Sequence, residues 1–208
     1  MPRITISEPA NARSRRTRAA LLDAARAILE RQGFEALTMT AVADRAGVTR
    51  RAAYMHFATR SELVTALFDH IAEAEGLDQS VQKVWHAPDA AAALDEWAAH
   101  LARYHPKLLA VERALQRVWR HDTDAAAHRD RVISAQLANC RRLARRLADE
   151  GRLREPWTVA SAADILFALI SSDVIDALLT DRRWSRQRLA RGLAQLFRST
   201  FLAEPAHG

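Results

Sequence analysis

The sequence is poor in glycine and proline, which break helices, and in cysteine, which forms disulfide cross-links. Among 208 residues there are 6 glycines, 6 prolines and 1 cysteine. A single cysteine, Cys140, excludes an intramolecular disulfide and a metal site built from several cysteines. No run of valine, isoleucine and threonine alternates with polar residues as a half-buried strand would. Together with 49% hydrophobic residues, these scarcities predict an all-α protein with a sizeable core.

Long apolar runs, a signal peptide and the common catalytic motifs are also missing. Asp or Arg interrupts every apolar stretch well before about 18 residues, so no membrane span is predicted. Residues 1–11 lack the apolar centre that a signal peptide needs, and we expect a cytoplasmic protein. There is no Gly-rich phosphate loop, H-E-x-x-H or G-x-S-x-G pattern. We therefore predict no catalytic residues, no cofactor and no metal, and keep an enzyme as a remote alternative.

Positive charge is concentrated near the start of the chain. The net charge is +6. Residues 1–62 hold 11 Lys and Arg against 6 Asp and Glu, whereas the remaining residues hold 20 against 19. An excess confined to one segment indicates a polyanionic partner for that segment, although an arginine-rich solvated surface would give the same pattern.

Residues 38–57 have the pattern of two short helices around a tight turn. They read T-M-T-A-V-A-D-R-A-G-V-T-R-R-A-A-Y-M-H-F. Thr38 is a good N-cap for the first helix, and Gly47 ends it because glycine accepts a positive φ without a Cβ clash. Thr49 caps the second helix, which is predicted to run from Arg50 to about His56. This layout is typical of a helix-turn-helix, whose second helix enters the major groove of DNA.

Residues 15–71 resemble the DNA-binding domain of the tetracycline-repressor (TetR) family. The matching stretches are L-L-D-A-A-R-A-I-L-E, G-F-E-A-L-T, A-V-A-D-R-A-G-V-T, Y-M-H-F and R-S-E-L. The resemblance implies an N-terminal three-helix helix-turn-helix domain followed by a larger helical ligand-binding and dimerisation domain. On this basis we expect a flexible arm at 1–14, a DNA-binding domain at 15–75 and an effector-binding and dimerisation domain at 76–204.

The resemblance also implies a function. We expect a sequence-specific transcriptional repressor that binds an inverted-repeat operator on double-stranded DNA as a homodimer and leaves it when a small molecule binds. The alternative is a DNA-binding regulator without a small ligand, controlled by a protein partner. The dimer would form through the last two helices, with burial inside a single subunit as the other interpretation of their apolar faces.

Carried over residue by residue, the resemblance places Thr40, Arg50 and Arg51 against bases. The other expected contacts are to the DNA backbone, and arginine suits guanine because its fork matches O6 and N7. The alternative is that one of the two arginines binds only phosphate. The complete set of predicted DNA contacts is Thr38, Thr40, Thr49, Arg50, Arg51, Tyr54, His56 and Arg60.

A small-molecule pocket is indicated only loosely by the sequence. Ligand sites are mostly apolar with a few placed polar groups, and we expect an apolar or aromatic effector. Each candidate could equally be an ordinary core residue or face solvent. The predicted pocket residues are Trp97, His100, Tyr104, Trp119, Gln136 and Phe167.

The remaining helices follow from apolar periodicity and from start and stop signals. The sequence Thr59-Arg60-Ser61-Glu62 is a capping box that opens a fourth helix ending near Glu75. Residues 77–87 read as a linker or irregular piece, and Pro106 is expected to open a new helix after one at 90–104. Further helices are predicted at 15–32, 125–150, 156–180 and 185–201.

Overall fold

A computed structural model describes residues 12–204, without the side chain of Asp124. This part of the chain is helical, with only an isolated bridge between Leu153 and Leu202 and no strand, so the predicted all-α class is confirmed. Within residues 12–204 no helix combines the length and apolarity needed to cross a membrane. The helices are α1 (Ala12–Gln32), α2 (Met39–Arg45), α3 (Arg50–His56), α4 (Arg60–Ala74), α5 (Leu77–Trp85), α6 (Ala90–Val118), α7 (Thr123–Asp149), α8 (Val159–Leu169), α9 (Ser172–Asp176) and α10 (Arg186–Phe201), with a π-helical turn at Ala177–Asp181.

The chain forms two compact units that do not follow a single cut in the sequence. The first contains the described residues up to Ile71 together with Ala110–Arg129. The second contains Ala72–Leu109 and the described residues from Asp130 onward. Helix α6 therefore contributes residues 90–109 to the second unit and residues 110–118 to the first. The boundary at residue 75 between a DNA-binding domain and an effector-binding domain stays a prediction.

The core of the first unit is built on the inner stripe of α1. Apolar residues three and four apart on this helix face one side, and they are buried together with side chains from α2, α3 and α4. Burying each of the leucine, isoleucine, valine and phenylalanine side chains contributes roughly 1.5–3 kcal/mol. The central members are Leu21, Leu22, Ala25, Ile28, Leu37, Val42, Ala53, Phe57, Leu63 and Leu67.

The core of the second unit is larger and brings α6, α7, α8 and α10 together. Trp97 is its largest fully buried side chain from α6, and Phe197 and Phe201 enter from α10. The last helix begins at the predicted place, since Ser185 is its N-cap and accepts a hydrogen bond from the Arg188 N–H at 3.2 Å.

The structure departs from the prediction at the start of α4 and in the segment that follows its end at Ala74. Thr59 Oγ1 accepts from the Glu62 N–H at 3.0 Å, as a capping box requires. The Glu62 carboxylate, however, accepts from the Ala58 N–H at 2.7 Å instead of from Thr59. After Gly76, where φ is +68°, residues 77–85 form α5, so the prediction of a linker was wrong. The physical reason is amphipathicity, because Ser80 and Val84 are buried on one side of this short helix.

Helix α6 continues without a break through Pro106, so the prediction of two helices was also wrong. Proline lacks an N–H and removes one backbone hydrogen bond, which usually weakens a helix interior. Here the flanking side chains of Tyr104, His105, Leu108 and Val111 are all buried. Tertiary packing on both sides of the proline therefore keeps the two halves of the helix continuous.

The predicted helix at 156–180 is interrupted. Helix α8 ends at Leu169, and the N–H groups of Ile170 and Ser171 bond back three residues, to Phe167 O and Ala168 O. Ser171 is extended, with ψ at 145°, before α9 begins. A chain that is apolar on all sides has no single buried face to enforce one axis, so its break could not be foreseen from periodicity.

Most of the predicted arm at 1–14 lies outside the described residues. Its last three residues, 12–14, belong to α1, which starts earlier than the predicted Arg15. Thr17 Oγ1 donates to Arg13 O at 3.1 Å within this first part of the helix.

Candidate nucleic-acid interface

The helix-turn-helix is built by two threonine caps and one glycine. Thr38 Oγ1 accepts from the Ala41 N–H at 3.1 Å, and Thr49 Oγ1 accepts from the Ala52 N–H at 3.2 Å. Each bond satisfies an amide that has no partner within its own helix. Gly47 has φ +68°, and the Val48 N–H bonds to Ala43 O at 3.0 Å across the turn. The two helix starts predicted at these threonines are confirmed.

One side of α3 is fixed in the core of the first unit. Ala53 and Phe57 are fully buried, and the Phe57 N–H bonds to Ala53 O at 3.0 Å. The Arg18 guanidinium of α1 lies 4.9 Å from the centroid of the Phe57 ring. Because Ala53 and Phe57 are four residues apart, they define a single buried stripe along the helix.

Arg51 and Met55 are exposed on the side of α3 opposite this stripe, and Arg50 and Tyr54 are exposed on its flank. The Arg50 guanidinium carbon is 5.4 Å from the Tyr54 ring centroid, and its Nη2 lies 3.5 Å from the Tyr54 hydroxyl. No partner for the Arg51 side chain occurs among the described residues. The structure thus brings these predicted contacts to one surface and distinguishes the two arginines.

Thr38, Thr40 and Thr49 are also exposed, at or next to the starts of α2 and α3. Because the hydroxyl oxygens of Thr38 and Thr49 accept cap hydrogen bonds, their O–H groups remain available as donors. Thr38 and Thr49 therefore cap their helices and can also donate a hydrogen bond to a partner outside the protein.

Arg60 is half-buried at the start of α4 and is held by an aromatic ring. Its guanidinium carbon lies 4.1 Å from the Phe34 centroid, and that of Arg117 lies 6.0 Å from the same ring. Arg117 Nη1 also pairs with Glu35 Oε1 at 2.7 Å. A cation over an aromatic face gains about 0.5–1 kcal/mol at an exposed site. Arg60 is consequently positioned before any ligand arrives.

His56 is half-buried at the end of α3. Burial lowers the pKa of its imidazole below the usual 6.5, and the nearby Arg18 charge lowers this pKa further. The ring is therefore mainly neutral at pH 7 and offers one N–H donor without a positive charge.

Met55 was missed by the sequence analysis. Its side chain is 70% exposed, more than any other large hydrophobic residue of the described chain. The signal was present, because position 55 lies roughly opposite the stripe defined by Ala53 and Phe57 on a helix of 3.6 residues per turn. A single exposed methionine is common on protein surfaces, so its position beside Arg51 is what makes Met55 a candidate contact.

The residues predicted for an effector pocket do not all lie in one unit. Trp97, His100 and Tyr104 of α6 are buried and stacked, with ring centroids 5.1 and 5.0 Å apart. Trp119 belongs to the first unit, where the Arg129 guanidinium carbon is 4.3 Å from its ring centroid. Gln136 and Phe167 are half-buried in the second unit.

His100 is the polar member of the aromatic stack. Ser80 Oγ accepts from Nε and Nη2 of Arg103 at 3.2 and 2.9 Å, and it therefore donates its own hydrogen to His100 Nδ1 at 3.0 Å. This arrangement requires the neutral ring with its proton on Nε2. Burial lowers the pKa of His100 to about 4, with further contributions from Arg103 and His105.

The geometry of the first unit defines a helix-turn-helix protein, and known sequences refine that class. The model of the family "Bacterial regulatory proteins, tetR family" matches residues 21–67. The HTH-type transcriptional regulator TtgR of Pseudomonas putida is 42% identical over 57 residues, which is 27% of this chain and 27% of TtgR. The match thus spans about a quarter of the length of the curated relative.

Solved structures extend the likeness to nearly the whole chain. A transcriptional regulator of Saccharomonospora viridis in complex with choline has a TM-score of 0.74 at 15% identity, covering 90% of this chain and 98% of that one. SmeT, the repressor of the Stenotrophomonas maltophilia multidrug efflux pump SmeDEF, has a TM-score of 0.66 at 21% identity, covering 91% and 93%. The amino-terminal region is therefore similar to the DNA-binding part of TetR-family regulators, and the described chain as a whole shares its fold with these solved regulators.

The neutral state of His100 predicts a pH-dependent stability. A histidine whose folded-state pKa is lowered stabilises the fold fully above its unfolded pKa, near 6.5, and this contribution is lost as the pH falls toward 4. At pH 5 the free energy of unfolding should be lower than at pH 7.5 by about 2 kcal/mol on account of this residue alone. Urea unfolding of wild type and His100→Gln at both pH values measures this contribution.

The His100→Gln protein should show a smaller loss between pH 7.5 and pH 5, whatever its stability at pH 7.5. His86→Gln, which changes an exposed histidine of the same unit, is the matched control and should keep the wild-type difference. An undiminished pH dependence in His100→Gln would show that His100 is not the neutral buried group.

Proposed function

We propose that the chain is a transcriptional repressor that binds an inverted-repeat operator as a homodimer and leaves it when a small molecule binds. The exposed surface of α3 carries this proposal. This helix exposes two arginines, a tyrosine and a methionine, while Ala53 and Phe57 fix it in the core. Such a face suits the major groove, where base edges are read by hydrogen bonds and apolar contacts.

Arg51 is assigned to base readout and Arg50 to the phosphates. The Arg50 guanidinium lies beside the Tyr54 ring, 5.4 Å from its centroid, whereas Arg51 has no such partner among the described residues. A guanidinium that is free to align its fork can bind O6 and N7 of guanine together. Thr40 is a second base contact, and Met55 suits the methyl group of a thymine.

Phosphate contacts supply most of the affinity and set the register. Thr38, Thr49 and Tyr54 offer exposed hydroxyl donors for this purpose. Arg60 brings a charge that Phe34 has already positioned, and His56 brings a neutral donor. The excess of positive charge in residues 1–62 also supports phosphate binding by this part of the chain.

Dimerisation is assigned to the final helices. Three of the five exposed large hydrophobic residues of the described chain are Ile165 in α8, Val174 in α9 and Leu196 in α10. Their apolar surface would be removed from water if two copies paired through these helices. A dimer would present two recognition helices to successive major grooves about 34–36 Å apart.

A small-molecule effector is inferred from two structural relatives. Choline is bound in the Saccharomonospora viridis regulator and triclosan in a SmeT complex. Helix α6 is the candidate link, because it contributes residues to both units and its residue Arg117 pairs with Glu35, just before α2. An effector weakens DNA binding only by its own preference between the two states of the protein.

Replacing Arg51 with alanine tests the assignment of base readout. The variant should bind a duplex selected by the wild type from a random pool roughly 10- to 100-fold more weakly, because one bidentate pair is worth about 1–3 kcal/mol. It should also accept other bases at one position in each half-site. Fluorescence anisotropy on the selected duplex and its single-base variants gives both results.

Arg50→Ala and Arg145→Ala are the comparison variants. Arg50→Ala should weaken binding to all DNA sequences alike and reduce the salt dependence of the affinity, as loss of a phosphate contact does. Arg145→Ala removes an exposed arginine from the second unit and should leave base preference unchanged. If Arg51→Ala and Arg50→Ala behave identically on every duplex, Arg51 does not read a base.

Replacing Leu196 with glutamate tests the dimer. A charge at this exposed apolar position of α10 should prevent pairing, because an unpaired carboxylate would be buried between the copies. We expect a monomer by analytical ultracentrifugation and loss of tight binding to the inverted repeat. Ala138→Glu, at an exposed position of α7, is the control and should remain dimeric. A Leu196→Glu protein that sediments like the wild type would exclude this interface.

A further inference from the structure

A cleft in the second unit lies between α6 and the first turns of α10. Its volume is about 310 Å³, which falls within the range of small-molecule sites. None of the six residues predicted for an effector pocket lines it. Its apolar part consists of Ala99, Ala102 and Ala190, and its charged part of Arg103, Lys107 and Arg186.

Two of the three cations are held by internal contacts. Arg103 Nη2 donates to Glu96 Oε1 at 2.5 Å, in addition to its bonds to Ser80. Lys107 Nζ donates to Glu75 Oε2 at 2.6 Å. Neither group is saturated, because a guanidinium has five N–H donors and an ammonium has three. A ligand would therefore meet donors whose conformational entropy is already reduced, which favours binding.

Arg186 makes the cleft positive overall. Within the described chain no carboxylate pairs with it, whereas Glu96 and Glu75 balance the other two cations. The cleft and its two carboxylates together thus carry one uncompensated positive charge. Residues 182–203 contain six arginines and no acidic residue, so the surrounding potential also attracts anions.

We propose that this cleft binds a small organic monocarboxylate, with the carboxylate at Arg186 and Arg103 and an apolar ring or chain over the three alanines. One uncompensated cation matches one negative charge, and arginine binds a carboxylate through two parallel N–H···O bonds. The alanine methyl groups favour an organic anion over an inorganic ion, because only the organic anion gains by leaving water there.

This inference goes beyond the proposed function in chemistry and rests on it only for regulation. Binding of the anion is a property of the second unit by itself. An effect of that binding on DNA affinity would require the two-state mechanism proposed above, with α6 as the element that carries both the cleft and Arg117. The two ideas can therefore fail separately.

Calorimetric titration of the full chain with benzoate and with benzamide tests the site. The two probes have nearly the same shape and differ in charge. Benzoate should bind the wild type at least tenfold more tightly than benzamide, and Arg186→Gln should lose at least tenfold of the benzoate affinity. Arg191→Gln, an exposed arginine of α10 outside the cleft, is the matched control and should retain wild-type binding. Ala190→Leu should fill the cleft and abolish binding while α10 remains folded by circular dichroism.

Three results would overturn the proposal: equal affinity for benzoate and benzamide, equal losses in Arg186→Gln and Arg191→Gln, or sulfate binding as tightly as benzoate. The first would mean an apolar site, the second a general attraction of anions, and the third a site for inorganic ions. A separate titration of the protein–DNA complex with benzoate then tests regulation. Binding without a change in DNA affinity would support the cleft and count against the effector mechanism.

Discussion

Helix α3 cannot hold its own shape, and the first unit is arranged around that constraint. Helix α3 has 7 residues, about half the length at which an isolated helix becomes even marginally stable in water. Its geometry therefore comes from the burial of Ala53 and Phe57 and from the cap at Thr49. Because two residues anchor one side, the directions of Arg51 and Met55 away from the core follow from the helical period, whereas Arg50 is exposed in the first turn close to the buried stripe.

Aromatic rings position the cations around this helix. Phe57 lies under Arg18, Tyr54 beside Arg50, and Phe34 under Arg60. Each contact is worth only about 0.5–1 kcal/mol at an exposed site. Its larger effect is on binding, since a side chain that is already ordered loses less entropy when it meets a phosphate. Arg51 lacks such a contact among the described residues, and this difference is the basis on which we propose base readout for Arg51 and phosphate contacts for the others.

Local signals predicted the structure wherever a local interaction decides it. The caps at Thr38, Thr49 and Ser185 were predictable because each is one hydrogen bond between near neighbours. The helix through Pro106 and the break after Leu169 depend on distant side chains that a periodic pattern does not identify. The face of α3 was largely predictable, although Met55 was not recognised. The predicted pocket combined Trp119 of one unit with Trp97 of the other. The cleft at Arg186 could not be predicted, because its apolar lining is alanine, which is common on any exposed helix surface.

Hydrogen–deuterium exchange of the protein with and without a duplex tests most directly whether the exposed face of α3 is the DNA-binding surface. A random-sequence duplex at low salt suffices, because phosphate contacts alone provide binding under those conditions. We predict slower exchange in residues 38–60, with little change in residues 182–203, although the latter hold six arginines. Slower exchange confined to residues 182–203, with residues 38–60 unchanged, would contradict the account and move the nucleic-acid surface to the second unit.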